Sequence, residues 1–250
     1  VITFSNILQH NVFPLSEILQ DLLEIGQKEM NNPIEIEFAI QLSANKEKPS
    51  VFNFLQIRPI VETSESFQQD IGDFERTEAI ISSDTALGNG LIKDVHDFVY
   101  VKPEVFDASK SKEIAEEVDQ LNSKFIKEDR NYVLVGPGRW GSSDPWLGIP
   151  VQWAQISMAR LIVESGLKDF RIDPSQGTHF FQNLTSFRVG YFTINPYIND
   201  GFYDLGFLNG KEPYYEGKFV RHIRFEKPIV ILIDGKKNKG LVLKPGVDAK

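Results

Sequence analysis

The polar stretch from Val61 to Arg76 interrupts the apolar pattern of this chain and is the best candidate for a boundary between two folding units. That stretch is rich in Glu, Ser, Gln and Asp, with Ile71 and Phe74 isolated among them, and reads as a linker. The division that follows is residues 1–62, a linker over 63–76, and residues 77–250. A chain of 250 residues can hold one large domain or two smaller ones at about 100–200 residues each.

Before the break, Leu15, Ile18, Leu19, Leu22, Leu23 and Ile25 recur at helical spacing between Pro14 and Gly26, which predicts an amphipathic helix over roughly 15–30. Two alternating segments follow. Ile34, Ile36, Phe38 and Ile40 would bury one face of a strand and leave Glu35 and Glu37 on the other. In the second segment Asn53, Leu55 and Ile57 share one side, and Phe52, Phe54, Gln56 and Arg58 the opposite side. The turn-rich insert Ser43 to Ser50 predicts a hairpin. If Glu37 lies opposite Gln56, the same register sets Glu35 opposite Arg58, and a slip of one residue inverts the faces.

Two carboxylates spaced two apart can hold a hard cation such as Mg²⁺, which takes one or two carboxylates plus phosphate oxygens, while a guanidinium grips phosphate bidentately. The same residues would also suit a solvated hairpin face with an ordinary Glu–Arg pair, worth about 0.2–1 kcal/mol. The order of amphipathic helix, Ile-Glu-Phe strand, turn and Gln-x-Arg-Pro resembles the end of the ATP-grasp domain in phosphoenolpyruvate synthase and pyruvate phosphate dikinase. That resemblance covers about the first quarter of the chain. It implies that Glu37, with Glu35 beside it, binds Mg²⁺ at the phosphates of ATP, that Gln56 and Arg58 line the same site, and that further ATP-grasp sequence precedes this chain.

After the break, strands are predicted over Ala79–Ser82 and Leu91–Val101, and a helix from Ser109 or Ser111 carrying Ile114, Ala115, Val118, Leu121 and Phe125 on one face. Tyr132–Val135 reads as a buried strand, and Pro150 to Glu164 as a helix closed by Gly166. Phe170–Asp173, Arg188–Ile194, Phe219–Phe225, Ile229–Ile233 and Gly240–Leu243 read as strands, and Thr178–Leu184 as a short helix. The expected fold class is α/β: a small ATP-grasp-derived helix and hairpin, then an α/β domain with a mixed sheet.

Two motifs in the second unit bear on chemistry. Gly136-Pro137-Gly138-Arg139-Trp140-Gly141 follows a strand and satisfies G-x-G-x-x-G, but no helix opens behind it, so a dinucleotide site is disfavoured. Its glycines, Arg139 and Ser142 could still present amides, a guanidinium and a hydroxyl to phosphate. They could equally build a tight loop anchored by Trp140 and Trp146. The second motif, Asp173 to Phe181, sets His179 in the predicted first helical turn, where free amides and the helix dipole favour a phosphoryl group. There a neutral imidazole can act as a nucleophile, or merely begin the helix. Gly177-Thr178-His179 is similar to a shortened form of the phosphohistidine turn in the swivelling domain of the same synthase and dikinase family. The likeness implies that His179 takes a phosphoryl group from ATP and passes it to pyruvate or a similar small acceptor. Arg221 and Arg224 read as a solvated strand face.

The formal charge of −8 gives no general attraction to nucleic acid or anionic membrane. With no cysteine, disulfides and thiolate chemistry are excluded, which fits a reducing compartment. No apolar run approaches the roughly 18 residues of a membrane span, and a cytoplasmic location is expected. A non-catalytic ligand-sensing module, using Phe180-Phe181, Tyr214-Tyr215 and the Pro137–Pro145 loop, is the alternative to the phosphotransferase.

Overall fold

The computed structural model describes residues 13–30, 34–43, 48–59, 71–168 and 189–248. The chain divides into two compact units, Val1–Glu62 and Thr63–Lys250.

In the first unit helix α1 (Leu15–Met30) packs on an antiparallel hairpin of β1 (Ile34–Gln41) and β2 (Val51–Pro59). The helix covers the predicted residues, and Gly26 within it lets helix and hairpin approach. A methyl group there would sit 2.3 Å from Ile34 Cδ1 and 2.6 Å from Ile57 Cδ1. The insert is tied at its ends, where the Ser43 amide donates to Ser50 Oγ at 3.1 Å.

A β-bulge sets the faces of the hairpin. Glu35 pairs with Arg58, Ile36 with Ile57 and Glu37 with Gln56, but Phe38 pairs with Phe54, so Leu55 is an extra residue. Directly opposed residues share a face. Phe52 and Phe54 therefore join Ile36, Phe38 and Ile57 on the apolar side, and the Phe38 and Phe52 rings stack at 5.3 Å. Uninterrupted alternation would have set both phenylalanines beside Gln56 and Arg58. The bulge reverses the phase, as an inserted residue must in a structure of period two.

The second unit is built on a mixed sheet of ten strands. In chain order these are β3 (Ala79–Ser83), β4 (Thr85–Leu87), β5 (Asn89–Val101), β6 (Tyr132–Pro137), β9 (Ala159–Ser165), β10 (Gly190–Ile194), β11 (Phe202–Tyr203), β12 (Tyr215–Glu216), β13 (Val220–Asp234) and β14 (Lys239–Leu243). A separate parallel pair, β7 (Arg139–Trp140) and β8 (Gly148–Ile149), lies between β6 and β9 in the chain. Helix α2 (Ser111–Glu128) joins β5 to its parallel neighbour β6, and the short α3 (Leu205–Asn209) follows β11.

The spatial order is β11-β3-β14-β13-β5-β6-β9-β10-β4, with β12 beside β13. β5, β6, β9 and β10 run parallel, and the remaining pairs are antiparallel. Only Asp84 separates β3 from β4 in the chain, although they lie near opposite ends of this order. The sheet therefore curls until one bent segment pairs with β14 through β3 and with β10 through β4. Ser83 pins the bend by donating to the Thr193 carbonyl at 2.7 Å and accepting from the Thr85 amide at 3.0 Å.

Phe98, Val133, Val135, Leu161, Val163 and Phe192 pack together on one side of the sheet. On the other, Ile114, Val118, Leu121 and Phe125 of α2 cover Val99, Leu134 and Ile162. The predicted apolar face of α2 is buried throughout.

Two segments depart from expectation. Pro150 to Glu164 is not a helix: a 3₁₀ turn over Trp153–Ile156 leads into β9. The short apolar run from Ala159 fits either period, and burial between two parallel strands decides for the strand. Phe219–Phe225 and Ile229–Ile233 are parts of one long strand, β13, whose register against β5 shifts between Arg224 and Ile229. Pro228 lies within that irregularity, where a residue lacking an amide hydrogen costs the ladder nothing.

Candidate functional site

The hairpin brings together four of the residues expected to form a metal–phosphate site. Glu35 and Glu37 lie on the face opposite the buried Ile34, one an exposed neighbour of Arg58 and the other of Gln56. Both glutamates and Gln56 are exposed. Carboxylates two apart on a strand stand about 7 Å apart at the backbone, a spacing that lets both reach one hard cation through oxygen ligands. This donor set suits Mg²⁺, with phosphate and water completing the shell. Among the described residues no group of three or more His, Cys, Asp and Glu could hold a metal ion by itself.

The glycine-rich loop is arranged differently from a phosphate cradle. Gly138 and Gly141 have φ of 73° and 79°, values that glycine adopts without strain. The loop amides turn inward. Gly138 donates to the Ser165 carbonyl, Arg139 to Leu147, and Gly141 to Ile149, at 3.1, 2.8 and 2.9 Å. The Trp140 amide donates to the carboxylate of the buried Glu164 at 3.0 Å, and the Trp140 indole donates to the Val163 carbonyl at 3.1 Å. Ser142 Oγ closes a local turn with Asp144. Gly136 and Gly148 are packing glycines: a methyl on the first would lie 2.3 Å from the Trp140 ring, and on the second 1.9 Å from the Arg139 carbonyl oxygen. This geometry favours the anchored loop, with Trp140 buried as its anchor. Trp146, 70% exposed, is not an anchor.

Glu164, expected on a helix, ends β9 beside Gly136 of β6. An acidic residue at the end of a parallel strand next to a glycine loop is one ingredient of a dinucleotide site. Here its oxygens accept from the Trp140 amide and from the Tyr191 hydroxyl, the latter at 2.5 Å. No helix follows the loop, and the missing amino terminus removes the dipole such a site requires.

His179, with Gly177, Thr178, Phe180 and Phe181, lies outside the described residues.

One polar cluster escaped the sequence reading. Asp97 is fully buried on β5, directly opposite Arg224 of β13. His222 Nε2 lies 2.7 Å from its Oδ1, Arg224 Nε donates to the same oxygen at 2.6 Å, and Arg130 Nε donates to Oδ2 at 2.8 Å. A carboxylate only accepts, so Nε2 carries the imidazole hydrogen. Burial alone would raise the Asp97 pKa, but the bonds from His222, Arg224 and Arg130 outweigh it and hold the carboxyl below its ordinary range. Arg224 also reaches Glu128 at 2.6 Å and lies 4.0 Å above the Tyr214 ring. The expectation that Arg221 and Arg224 form a solvated face is thus corrected: Arg221 pairs with Glu216 and approaches the Tyr100 hydroxyl at 3.4 Å. Asp97 and His222 have the spacing of a catalytic dyad, but His222 is only 2% exposed and walled by Phe125 and Tyr214. The cluster reads as a buried clamp joining β5, β13 and the end of α2.

No protein-family model, curated protein or solved structure matches the chain. Among the described residues, no helix is long and apolar enough to cross a membrane.

Proposed function

We propose that the outer face of the hairpin is one wall of a Mg²⁺–nucleotide site, and that the chain serves an ATP-dependent phosphotransferase of the phosphoenolpyruvate synthase or pyruvate phosphate dikinase type. The observation that supports this reading is the register. Glu35 opposite Arg58 and Glu37 opposite Gln56 form a continuous polar strip backed by an apolar face on α1. Glu37 and Glu35 would hold the cation, and Gln56 and Arg58 would orient phosphate oxygens beside it. The cation, when bound, neutralises phosphate charge during transfer. His179 is the proposed phosphoryl carrier to pyruvate or a similar acceptor.

Labelling tests the reading. The whole natural protein, given Mg-ATP and analysed by mass spectrometry under conditions that preserve phosphohistidine, carries the label on His179. Glu37→Gln lowers labelling by about tenfold or more, in line with loss of a charged contact of roughly 1.5–3 kcal/mol. A label on another residue, or full labelling of the variant, rejects the assignment.

A second reading rests on the glycine loop. Its inward amides and exposed Trp146 suit a non-catalytic ligand-sensing module better than a phosphate grip. Nucleotide binding that survives Glu37→Gln but is lost on Trp146→Ala would favour it.

A further inference from the structure

We propose that a cleft beside β3, β11 and β14 in the second unit binds a small organic monocarboxylate bearing a flat apolar group. The cavity, about 510 Å³, falls within the roughly 300–1,000 Å³ of typical small-molecule sites. Its floor is apolar: Ala79 and Leu241 are buried there, and Ile71, Phe74 and Phe202 pack against the same cluster.

The charge at the mouth selects the ligand. Arg76, Lys237 and Lys239 line the cavity together with Glu75 and Asp84. Lys239 is paired with Asp84, and Lys237 lies 3.9 Å from Asp234. The Glu75 carboxylate is engaged by the backbone and by Thr77 at the start of the adjoining 3₁₀ turn. Among the described residues no acidic side chain pairs with Arg76. Its guanidinium carbon lies 4.2 Å from the centroid of the Phe202 ring, a contact that places the cation at the cleft and leaves its N–H groups for a ligand. A carboxylate matches those groups with two parallel hydrogen bonds. The flat group would lie against Phe74, Phe202 and Leu241, where ring faces and a buried aliphatic surface favour it. Of the three cations only Arg76 lacks an acidic partner among the described residues, so the lining offers one charge for one carboxylate and not a row of cations for a nucleoside triphosphate.

The test is a titration of the whole chain with 2-naphthoate, followed by amide ¹⁵N–¹H shifts. Shifts should concentrate in residues 71–84, 199–202 and 237–241, which carry the lining. The uncharged 2-naphthalenemethanol should bind about tenfold more weakly, and Arg76→Gln should weaken naphthoate by about tenfold, the scale of one charge-assisted contact. Arg76→Lys, which keeps the charge and loses the fork, should fall between. Shifts absent at millimolar naphthoate, shifts centred elsewhere, equal binding by the alcohol, an Arg76→Gln variant that binds like the natural chain, or displacement by ATP would each overturn the proposal.

Discussion

Replacing Asp97 by asparagine isolates the buried clamp. The amide keeps one acceptor oxygen, but its NH₂ now faces a donor, either Arg130 or the Arg224–His222 pair, because each carboxylate oxygen already receives cationic hydrogens. Breaking a buried ion pair from one side typically costs 3–5 kcal/mol. The side chains of Arg130 and Arg224 are 34% and 23% exposed, so water can recover part of their solvation, and the low end, about 3 kcal/mol, is expected. For a unit of this size that lowers Tm by about 6–12 °C. All three tryptophans, Trp140, Trp146 and Trp153, lie in the second unit, so denaturant unfolding followed by tryptophan fluorescence reads that unit alone. The pH dependence supplies the sign. Asp97 has its folded pKa lowered from 3.8, so its stabilisation is fully present above about pH 4 and is lost as pH falls through the folded value. The gap between the natural protein and Asp97→Asn should close on acidification below the ordinary carboxylate pKa. Glu128→Gln, removing a 40% exposed partner of Arg224, should cost at most about 1 kcal/mol. A loss under about 1 kcal/mol for Asp97→Asn at pH 7, or a gap that persists in acid, refutes the clamp.

Three further perturbations follow from packing and register. Gly136→Ala should destabilise the second unit by about 1–3 kcal/mol, since its methyl meets the buried Trp140 ring; Gly148→Ala should cost more, because backbone stands in the way, and chemical denaturation ranks the two. Asn122→Ala removes an amide that donates to the Ala154 carbonyl and accepts from Tyr132 Oη and the Met158 amide; a loss of roughly 3 kcal/mol or more is expected, at least about 1 for each of the three groups left unpaired, with faster exchange at the Met158 amide. Deleting Leu55, the bulged residue that is 61% exposed, should leave Glu37 opposite Gln56 and α1 helical by nuclear Overhauser contacts. Collapse of the hairpin on that deletion would show that the bulge is needed for more than phase.

What could be read from the chain was local. The stripe on α2 and the glutamate–arginine register depend on periods of 3.6 and 2 over a few residues, and both are present in the structure. The close approach at Gly26 could not be read, because it is to Ile34 and Ile57, one of which comes 31 positions later, and helical period carries no trace of it. The segment from Ala159 misled for a related reason. Its apolar run is too short for period alone to choose, and the choice was made by β6 and β10 on either side.

The sites divide the same way. Glu35, Glu37, Gln56 and Arg58 were legible as a group because a hairpin makes pairing a matter of adding indices. Asp97 could not be grouped with its partners, which lie 33, 125 and 127 residues away. Its only sign was a charge embedded in the apolar run Val95–Val101, where an ion must be paired to be tolerated. The glycine loop shows why residue types alone leave function open. Gly136, Gly138, Arg139 and Ser142 are what a phosphate cradle needs, yet the direction of the amides decides, and that direction is set by Glu164 and Ser165 on a strand that the local pattern did not reveal. A loop whose donors are already spent on its own scaffold gains little by binding an anion, because each new bond must first break one of 2.8–3.1 Å. The hairpin residues enter the proposal for a different reason: their register, Glu35 opposite Arg58 and Glu37 opposite Gln56, lines polar groups along one face.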